Sequence, residues 1–410
     1  MTAGAPFLPY GRQSIDDDDI AAVVAVLRSD YLTQGPMVEA FETALAARVG
    51  ASRAVACANG TAALNLAYRA AGLGPGDAVV VPAITFLATA SAARLAGAEV
   101  AFADVDPDSG LMGPDHALAA MARAEAAGLR VRAIAPVHLA GQVGPLAALR
   151  TLAAERGLTV VEDACHAIGT AWTDGAGRTV AVGADAPGVI TVFSFHPVKT
   201  IAAGEGGAVT TGDAALAERL RRLRNHGMER DPARLTVRDL ACDADGTPNP
   251  WVYEMAEPAF NDRLNDLQSA LALSQLGKLD VFTARRAALM DAYARHLAPL
   301  APLVRPLART PGCRPAWHLC VALVDFARAG RRRNAVMADL RAAGIGTQVH
   351  YIPVHRQPYY HSRYGALALP GAEDYYARAL TLPLFPAMAD GDPERVVTEL
   401  GRALAPAGSV

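Results

Sequence analysis

An α/β protein, with a large domain built on a mostly parallel sheet and a smaller α+β domain at its C-terminal end, is what this 410-residue sequence predicts. Two observations carry the prediction. Between residues 54 and 211, short apolar, often β-branched runs alternate with alanine- and leucine-rich helical segments, the pattern of strands covered on both faces by crossover helices. Beyond about Asp213 the alternation gives way to longer helices, and then to a tail in which two strand-like runs, 320–324 and 346–350, flank a helix over 332–343.

Composition bounds what such a fold does. An apolar content of 52% is ample for the cores of two or three domains. The formal net charge is −3 and no long basic run appears, so nucleic acid is not an expected partner. Five cysteines, odd in number and without a Cys-x-x-Cys pair, argue against a disulfide framework and a zinc site; no metal is expected, and a reducing cytoplasm fits. The N-terminus has no basic residue ahead of an apolar core and soon reaches Asp16-Asp17-Asp18-Asp19, unlike a signal peptide. The most apolar window, 78–93, contains Pro82 and is flanked by Asp77 and Arg94, so no membrane span is expected.

In order, residues 1–14 read as an extended arm, 15–265 as the large domain and 266–410 as a linking helix with the small domain. Ser14 and the acids after it suit a helix start for 20–27, and the turn Thr33-Gln34-Gly35-Pro36 leads into an amphipathic helix over 38–49. A strand at 54–58, the turn Asn59-Gly60-Thr61 and a helix at 62–71 come next. Strands follow at 79–81, 100–102, 133–137, 158–161, 189–193 and 208–211. Gly246-Thr247-Pro248-Asn249-Pro250 marks an irregular loop, and 264–298 reads as one long helical stretch.

Only two of the 38 basic residues are lysines, Lys199 and Lys278. An amine that can lose its proton and form an imine is something arginine cannot supply. Lys199 lies on a Pro- and Gly-punctuated connection between two strands, either a reactive amine or a surface residue; Lys278 reads as part of a polar helix turn. Asn59-Gly60-Thr61 sits where a strand feeds a helix, so it is either a phosphate turn or an ordinary cap. Asp163 lies at the carboxyl edge of a strand, where open α/β sheets place ligands. There it suits either the proton of a heterocyclic nitrogen or a loop cap, with His166 as a further polar contact or a structural histidine. Phe86, also after a strand, is a ring platform or a core residue. Gly72-Leu73-Gly74-Pro75-Gly76 precedes a strand and does not meet the dinucleotide fingerprint. Phosphate turn, strand-end carboxylate and imine-capable lysine together are the parts that bind pyridoxal phosphate.

In this order the chain also carries Thr33-Gln34-Gly35-Pro36, Asn59-Gly60-Thr61-Ala62-Ala63-Leu64, Glu162-Asp163-Ala164-Cys165-His166, Phe193-Ser194-Phe195-His196-Pro197-Val198-Lys199, Phe260-Asn261-Asp262-Arg263-Leu264 and Gln348-Val349-His350-Tyr351. From about Phe7 to Leu404 it resembles the DegT/DnrJ-type nucleotide-sugar aminotransferases. The resemblance implies PLP fold type I, the aspartate-aminotransferase-like fold, with pyridoxal 5′-phosphate as cofactor. It implies Lys199 as the Schiff-base and proton-transfer lysine, Asp163 on the pyridine nitrogen and Phe86 stacked on the ring. Thr61, Ala62 and Ser194, with Gly60 in the same turn, would hold the phosphate, and His166 would lie near the ring hydroxyl. Asn261 would reach the phosphate of a neighbouring subunit, so a homodimer with shared sites is expected.

Within the family, Leu32-Thr33-Gln34-Gly35, His226-Gly227-Met228, Leu271-Ala272-Leu273-Ser274-Gln275-Leu276 and His350-Tyr351-Ile352-Pro353-Val354 are similar to the branch of the pseudaminic acid route. That branch moves an amino group from glutamate to C4 of a UDP-linked 4-keto-6-deoxy-N-acetylhexosamine; the alternative is another nucleotide-sugar or aminocyclitol aminotransferase. The likeness places Tyr10, His350 and Tyr351 at the sugar nucleotide. Residues 350–364 are rich in Tyr, His and Arg, which stack on rings and pair with phosphate oxygens. Asp262 departs from the aromatic usual at its place. Lys199 argues against the dehydratase branch, where histidine replaces the lysine, and no fused DNA-binding segment suggests a sensor.

Overall fold

The structure, a computed structural model, describes residues 6–405; residues 1–5 of the expected arm and 406–410 lie outside the described residues. The central sheet has seven strands: β1 (Arg53–Cys57), β2 (Asp77–Pro82), β3 (Glu99–Ala103), β4 (Arg130–Ile134), β5 (Thr159–Asp163), β6 (Val189–Ser194) and β7 (Gly207–Thr211). Their spatial order is β1-β7-β6-β5-β4-β2-β3. Every pairing from β6 across to β3 is parallel, and β7 runs antiparallel to both its neighbours.

The helices that cover the sheet and lead to the small unit are α1 (Asp17–Leu27), α2 (Pro36–Val49), α3 (Gly60–Ala70), α4 (Leu87–Leu95), α5 (Pro114–Ala126), α6 (Leu146–Glu155), α7 (Ala214–Leu223), α8 (Asp266–Gly277) and α9 (Leu279–Leu297), with others between and after them. Alternation along β2 shows why the strands read as unbroken apolar runs. Val79 and Val81 join the core under α3 and α4, while Val80 joins that of α5 and α6 on the other face, so every position is buried. On the α2 side Phe41 meets Phe195 edge to face at 5.3 Å.

A second, antiparallel sheet of β8 (Val304–Pro306), β9 (Cys320–Val324) and β10 (Ala379–Leu382) packs with α9 around Leu289, Tyr293, Val336 and Leu400. The chain tail also reaches back, since Cys313–Arg314 pairs with Ala171–Thr173 of the large unit.

Four local expectations are corrected. The first helix is capped by Asp16, not Ser14: its carboxylate accepts from the Asp18 and Asp19 amides, and the Asp19 carboxylate closes a capping box onto the Asp16 amide. The strand expected at 133–137 is shifted to Arg130–Ile134, because Pro136 has no amide for the ladder. The stretch 264–298 is two helices broken at Lys278, and that lysine is no free surface residue, since it pairs with Asp16 and, at 2.9 Å, with Asp19. Residues 346–350 form no strand. Their main-chain partners are divided between Leu8 of the arm and Thr381 of β10.

β5 carries two successive acids whose side chains alternation sends to opposite faces. Glu162, fully buried, turns away from the sheet's ligand edge and accepts from Arg150 at 2.9 and 2.6 Å, with the His138 Nε2 3.0 Å away. Burial alone would raise the Glu162 pKa, but the His138 hydrogen bond and the Arg150 charge outweigh it and hold the carboxyl below its ordinary range. Its stabilising contribution is therefore complete above the ordinary carboxylate range and is lost as the pH falls through the depressed native value. Glu162→Leu should destabilise the protein by about 2–3 kcal/mol at neutral pH, because it leaves the part-buried Arg150 guanidinium and the buried His138 ring without their partner. The difference from wild type should shrink at acid pH. Urea unfolding of the two proteins at neutral and acid pH checks this; an equal difference at both would show that the carboxylate charge is not what holds the strand end.

Candidate active site

Because β7 alone is reversed, the carboxyl ends of β1, β5 and β6 share one sheet edge with the start of β7. A cavity of about 620 Å³ opens there. Of the residues singled out from the sequence, Tyr10, Gly60, Thr61, Phe86, Asp163, His166, Ser194, Lys199, His350 and Tyr351 line it, and Ala62 and Asn261 do not.

The turn after β1 supplies one end. Asn59 is extended (φ −169°) and caps α3: its side chain accepts from the Ala62 amide at 2.9 Å and its carbonyl from the Ala63 amide at 3.0 Å. The Ala62 amide is thus already used, and the Gly60 and Thr61 amides are those left at the helix start without an intrahelical partner. Two glycines let main chain come this close. A Cβ on Gly60 would sit 2.9 Å from the Ser194 Cβ, and one on Gly207 would sit 2.3 Å from the Asn59 carbonyl oxygen. The result is a small electropositive cradle at the end of β6, suited to a phosphate.

Asp163 closes the opposite end. Thr89 of α4 donates to its Oδ2 at 2.6 Å and the Cys165 amide to its Oδ1 at 3.2 Å. With its one proton committed to Asp163, Thr89 accepts from Thr85 at 2.7 Å. Phe86, at the start of α4, is not a core residue: 54% exposed, it faces the cavity with its ring 6.1 Å from that of Tyr351.

Lys199 follows β6 on a loop pinned at its base, where Phe195 donates to Gly206 and accepts from Ala203, each at 2.8 Å. Burial lowers the Lys199 pKa; neighbouring Cys165 and Asp163 act in the opposite direction without cancelling it, and among the described residues no side-chain hydrogen bond fixes the ammonium. Three histidines stand around it. His166 accepts from the Ala140 amide at Nδ1 (3.3 Å) and lies 3.1 Å from the Tyr351 hydroxyl at Nε2. His318 lies 4.4 Å from the His166 ring, and His350 Nδ1 is 2.9 Å from the Thr381 hydroxyl. Burial first, and then the Lys199 charge among others, pushes all three below the ordinary histidine range, His350 to about 3. The wall at neutral pH is therefore uncharged imidazole.

Tyr10 reaches this wall because the arm is bonded to the small unit: Leu8 exchanges main-chain hydrogen bonds with Gly344 and Gly346, and the Tyr10 carbonyl accepts from Leu384 at 3.0 Å. Its ring lies 5.4 Å from that of His350. Asn261 is exposed, outside the cavity, on a segment bridged to Asn225. Asp262 is half-buried, its carboxyl pushed up by burial against the opposing charge of Arg69.

Sequence reasoning missed Thr89 and His318. The signal for Thr89 was a threonine in the first turn of an alanine-rich helix, four residues after Thr85, which precedes that helix and whose hydroxyl it meets. For His318 there was only an imidazole directly ahead of an apolar strand. Among the described residues no helix is long and apolar enough to cross a membrane.

Comparison with known proteins agrees with this geometry. The chain is 38% identical over 394 residues to the spore coat polysaccharide biosynthesis protein SpsC of Bacillus subtilis (strain 168), covering 95% of each. The fold is similar to that of Helicobacter pylori PseC, an aminotransferase involved in the biosynthesis of pseudoaminic acid, with a TM-score of 0.85, 27% identity, and 97% and 99% of the two chains covered. It is also similar to the PLP form of the sugar aminotransferase Spr1654 of Streptococcus pneumoniae (TM-score 0.83, 26% identity, 97% and 98% covered). Residues 13–401 match the model of the DegT/DnrJ/EryC1/StrS aminotransferase family. The chain belongs to that family, and its cofactor is pyridoxal 5′-phosphate.

Proposed function

We propose that this enzyme transfers the amino group of glutamate to C4 of a UDP-linked 4-keto-6-deoxy-N-acetylhexosamine, the reaction of the pseudaminic acid route. The observation that carries an amino-transfer reading is the Lys199 amine, with its pKa lowered by burial, in one cavity with a hydrogen-bonded strand-end carboxylate and a phosphate cradle. The likeness to PseC supports the choice of sugar. The greater identity to SpsC favours a second reading, a different nucleotide sugar feeding a polysaccharide.

Pyridoxal phosphate, when bound, supplies an electron sink for the carbon that carries the amino group. The Gly60 and Thr61 amides and the Ser194 hydroxyl would hold its phosphate, Asp163 its ring nitrogen and Phe86 one ring face. Lys199 would take and return the proton at the substrate carbon, a task for which a lowered amine pKa is suited. His166 would lie near the ring hydroxyl, and the neutral imidazole and phenol wall of His318, His350, Tyr351 and Tyr10 would receive the sugar nucleotide without competing with Lys199 for charge. Asn261, outside its own cavity, would serve the cavity of a second copy in a homodimer.

The two lysines make the first test simple. Reductive labelling with pyridoxal phosphate and borohydride should modify Lys199. It should spare Lys278, where burial is outweighed by hydrogen bonds to Asp16 and Asp19 that raise the pKa. Lys199→Ala should lower amino transfer by about 10²–10⁴-fold or more, and Asp163→Asn should keep the label while losing most activity. Peptide mapping that finds the label on Lys278 would overturn the site.

The substrate is tested by loading the enzyme with glutamate, removing the donor and presenting nucleotide 4-keto and 3-keto sugars singly. Turnover confined to the UDP 4-keto-6-deoxy-N-acetylhexosamine is expected. Preference for another nucleotide sugar would select the second reading. For the shared site, mixing Lys199→Ala subunits with inactive Asn261→Ala subunits should restore part of the activity, and no recovery after demonstrated subunit exchange would refute sharing.

A further inference from the structure

Ala140 has φ 59° and ψ 8°, one of three non-glycine residues with positive φ among those described. An L-residue held there is strained and persists only where its surroundings impose it. The surroundings here are tight, since a Cβ on the next residue, Gly141, would lie 2.3 Å from the Ala316 carbonyl oxygen. Both main-chain polar groups of Ala140 go to histidines of the cavity. The amide donates to His166 Nδ1 at 3.3 Å and the carbonyl accepts from the His318 amide at 3.0 Å.

Counting protons gives this arrangement a direction. A ring nitrogen that accepts an N–H carries no proton of its own, and a neutral imidazole has one N–H, which on His166 must then be at Nε2. Burial, and after it the charge of Lys199, keeps His166 neutral. Nε2 is 3.1 Å from the Tyr351 Oη, so the imidazole donates and the phenol accepts. Burial also raises the Tyr351 pKa well above its ordinary value, so the phenol keeps its proton. Tyr351 lines the cavity, and with His166 as the one partner of its hydroxyl among the described residues its remaining hydrogen is free to turn into that space. Had the Ala140 amide pointed elsewhere, His166 could accept from Tyr351 and leave the cavity only lone pairs.

We propose that the strained Ala140 peptide is a positioning group for the reaction: it fixes His166 as the Nε2–H tautomer and so obliges Tyr351 to donate its phenolic hydrogen to an oxygen of the bound acceptor substrate. The identity of that acceptor, a keto sugar, rests on the function proposed above; the tautomer and the direction of donation do not.

Histidine-selective ¹⁵N labelling of the full-length protein, with and without pyridoxal phosphate, reads the tautomer directly, the His166 signals being assigned by their loss in His166→Gln. One Nε2–H form is expected, and it should survive Tyr351→Phe, because Ala140 and not the phenol sets it. An Nδ1–H form, a mixture or a doubly protonated ring would overturn the proposal. The second arm compares His166→Gln with His166→Glu, equal in length, of which the amide alone can donate to Tyr351. The kcat/KM for the acceptor should be at least about tenfold lower in the Glu variant, the worth of one hydrogen bond, with a smaller difference in the glutamate half-reaction. Equal kcat/KM values for the acceptor would overturn the donor role. If the UDP 4-keto sugar is not a substrate, the function proposed above fails, while the tautomer measurement still decides this one.

Discussion

The site depends on two close approaches of main chain that only glycine allows. Gly207, opening β7, lies against the Asn59 carbonyl, and Gly60, opening α3, lies against Ser194. Any side chain at either place would push the first turn of α3 away from the end of β6 and open the cradle between them. Because β7 is the one reversed strand, its first residue rather than its last falls at this edge. The loop that carries Lys199 leaves β6 and returns into β7, so the phosphate turn and the lysine are placed by the same pair of strands.

Electrostatics follows from that crowding. The cavity is lined by one amine and, among its other groups, by the rings of His166, His318, His350, Tyr10 and Tyr351, and burial acts on the amine and on these five in the direction of the uncharged form. A guanidinium in place of Lys199 would stay charged under the same burial. The chain otherwise relies almost wholly on arginine, and its two lysines have opposite fates. Among the described residues Lys199 has no side-chain hydrogen bond, and it has a lowered pKa, while Lys278, held by two aspartates at a helix junction, has a raised one.

Much of this was legible in the sequence, because strand interiors have few ways to be written. β-branched runs located β2, β5, β6 and β7, and the strand-to-helix turn at Asn59 located the cradle. What escaped had no local signature. The left-handed conformation of Ala140 is imposed by the 316–318 segment, and 346–350 alternates like a strand but finds its partners one at a time in Leu8 and Thr381. Thr89 acts through a hydrogen bond to a residue 74 positions away. The family likeness supplied residue roles, yet it placed Ala62 at the phosphate, where its amide is already taken by Asn59.

Floor and wall of the cavity are built differently, and this bears on how one fold serves several sugars. The floor comes from strand ends and helix starts of one sheet edge, where main-chain positions and the fixed pair of Asp163 and Lys199 leave little freedom. The wall is assembled from the N-terminal arm, the start of α4, His318 and residues 348–352, segments distant in sequence and joined by scattered main-chain hydrogen bonds and ring contacts rather than by one sheet. On the function proposed, a substitution in the floor would disturb the cofactor and the proton path together. A substitution in the wall changes ring contacts and hydrogen-bond direction while the floor stays in place, so substrate choice can drift with the wall while the amino-transfer chemistry is retained.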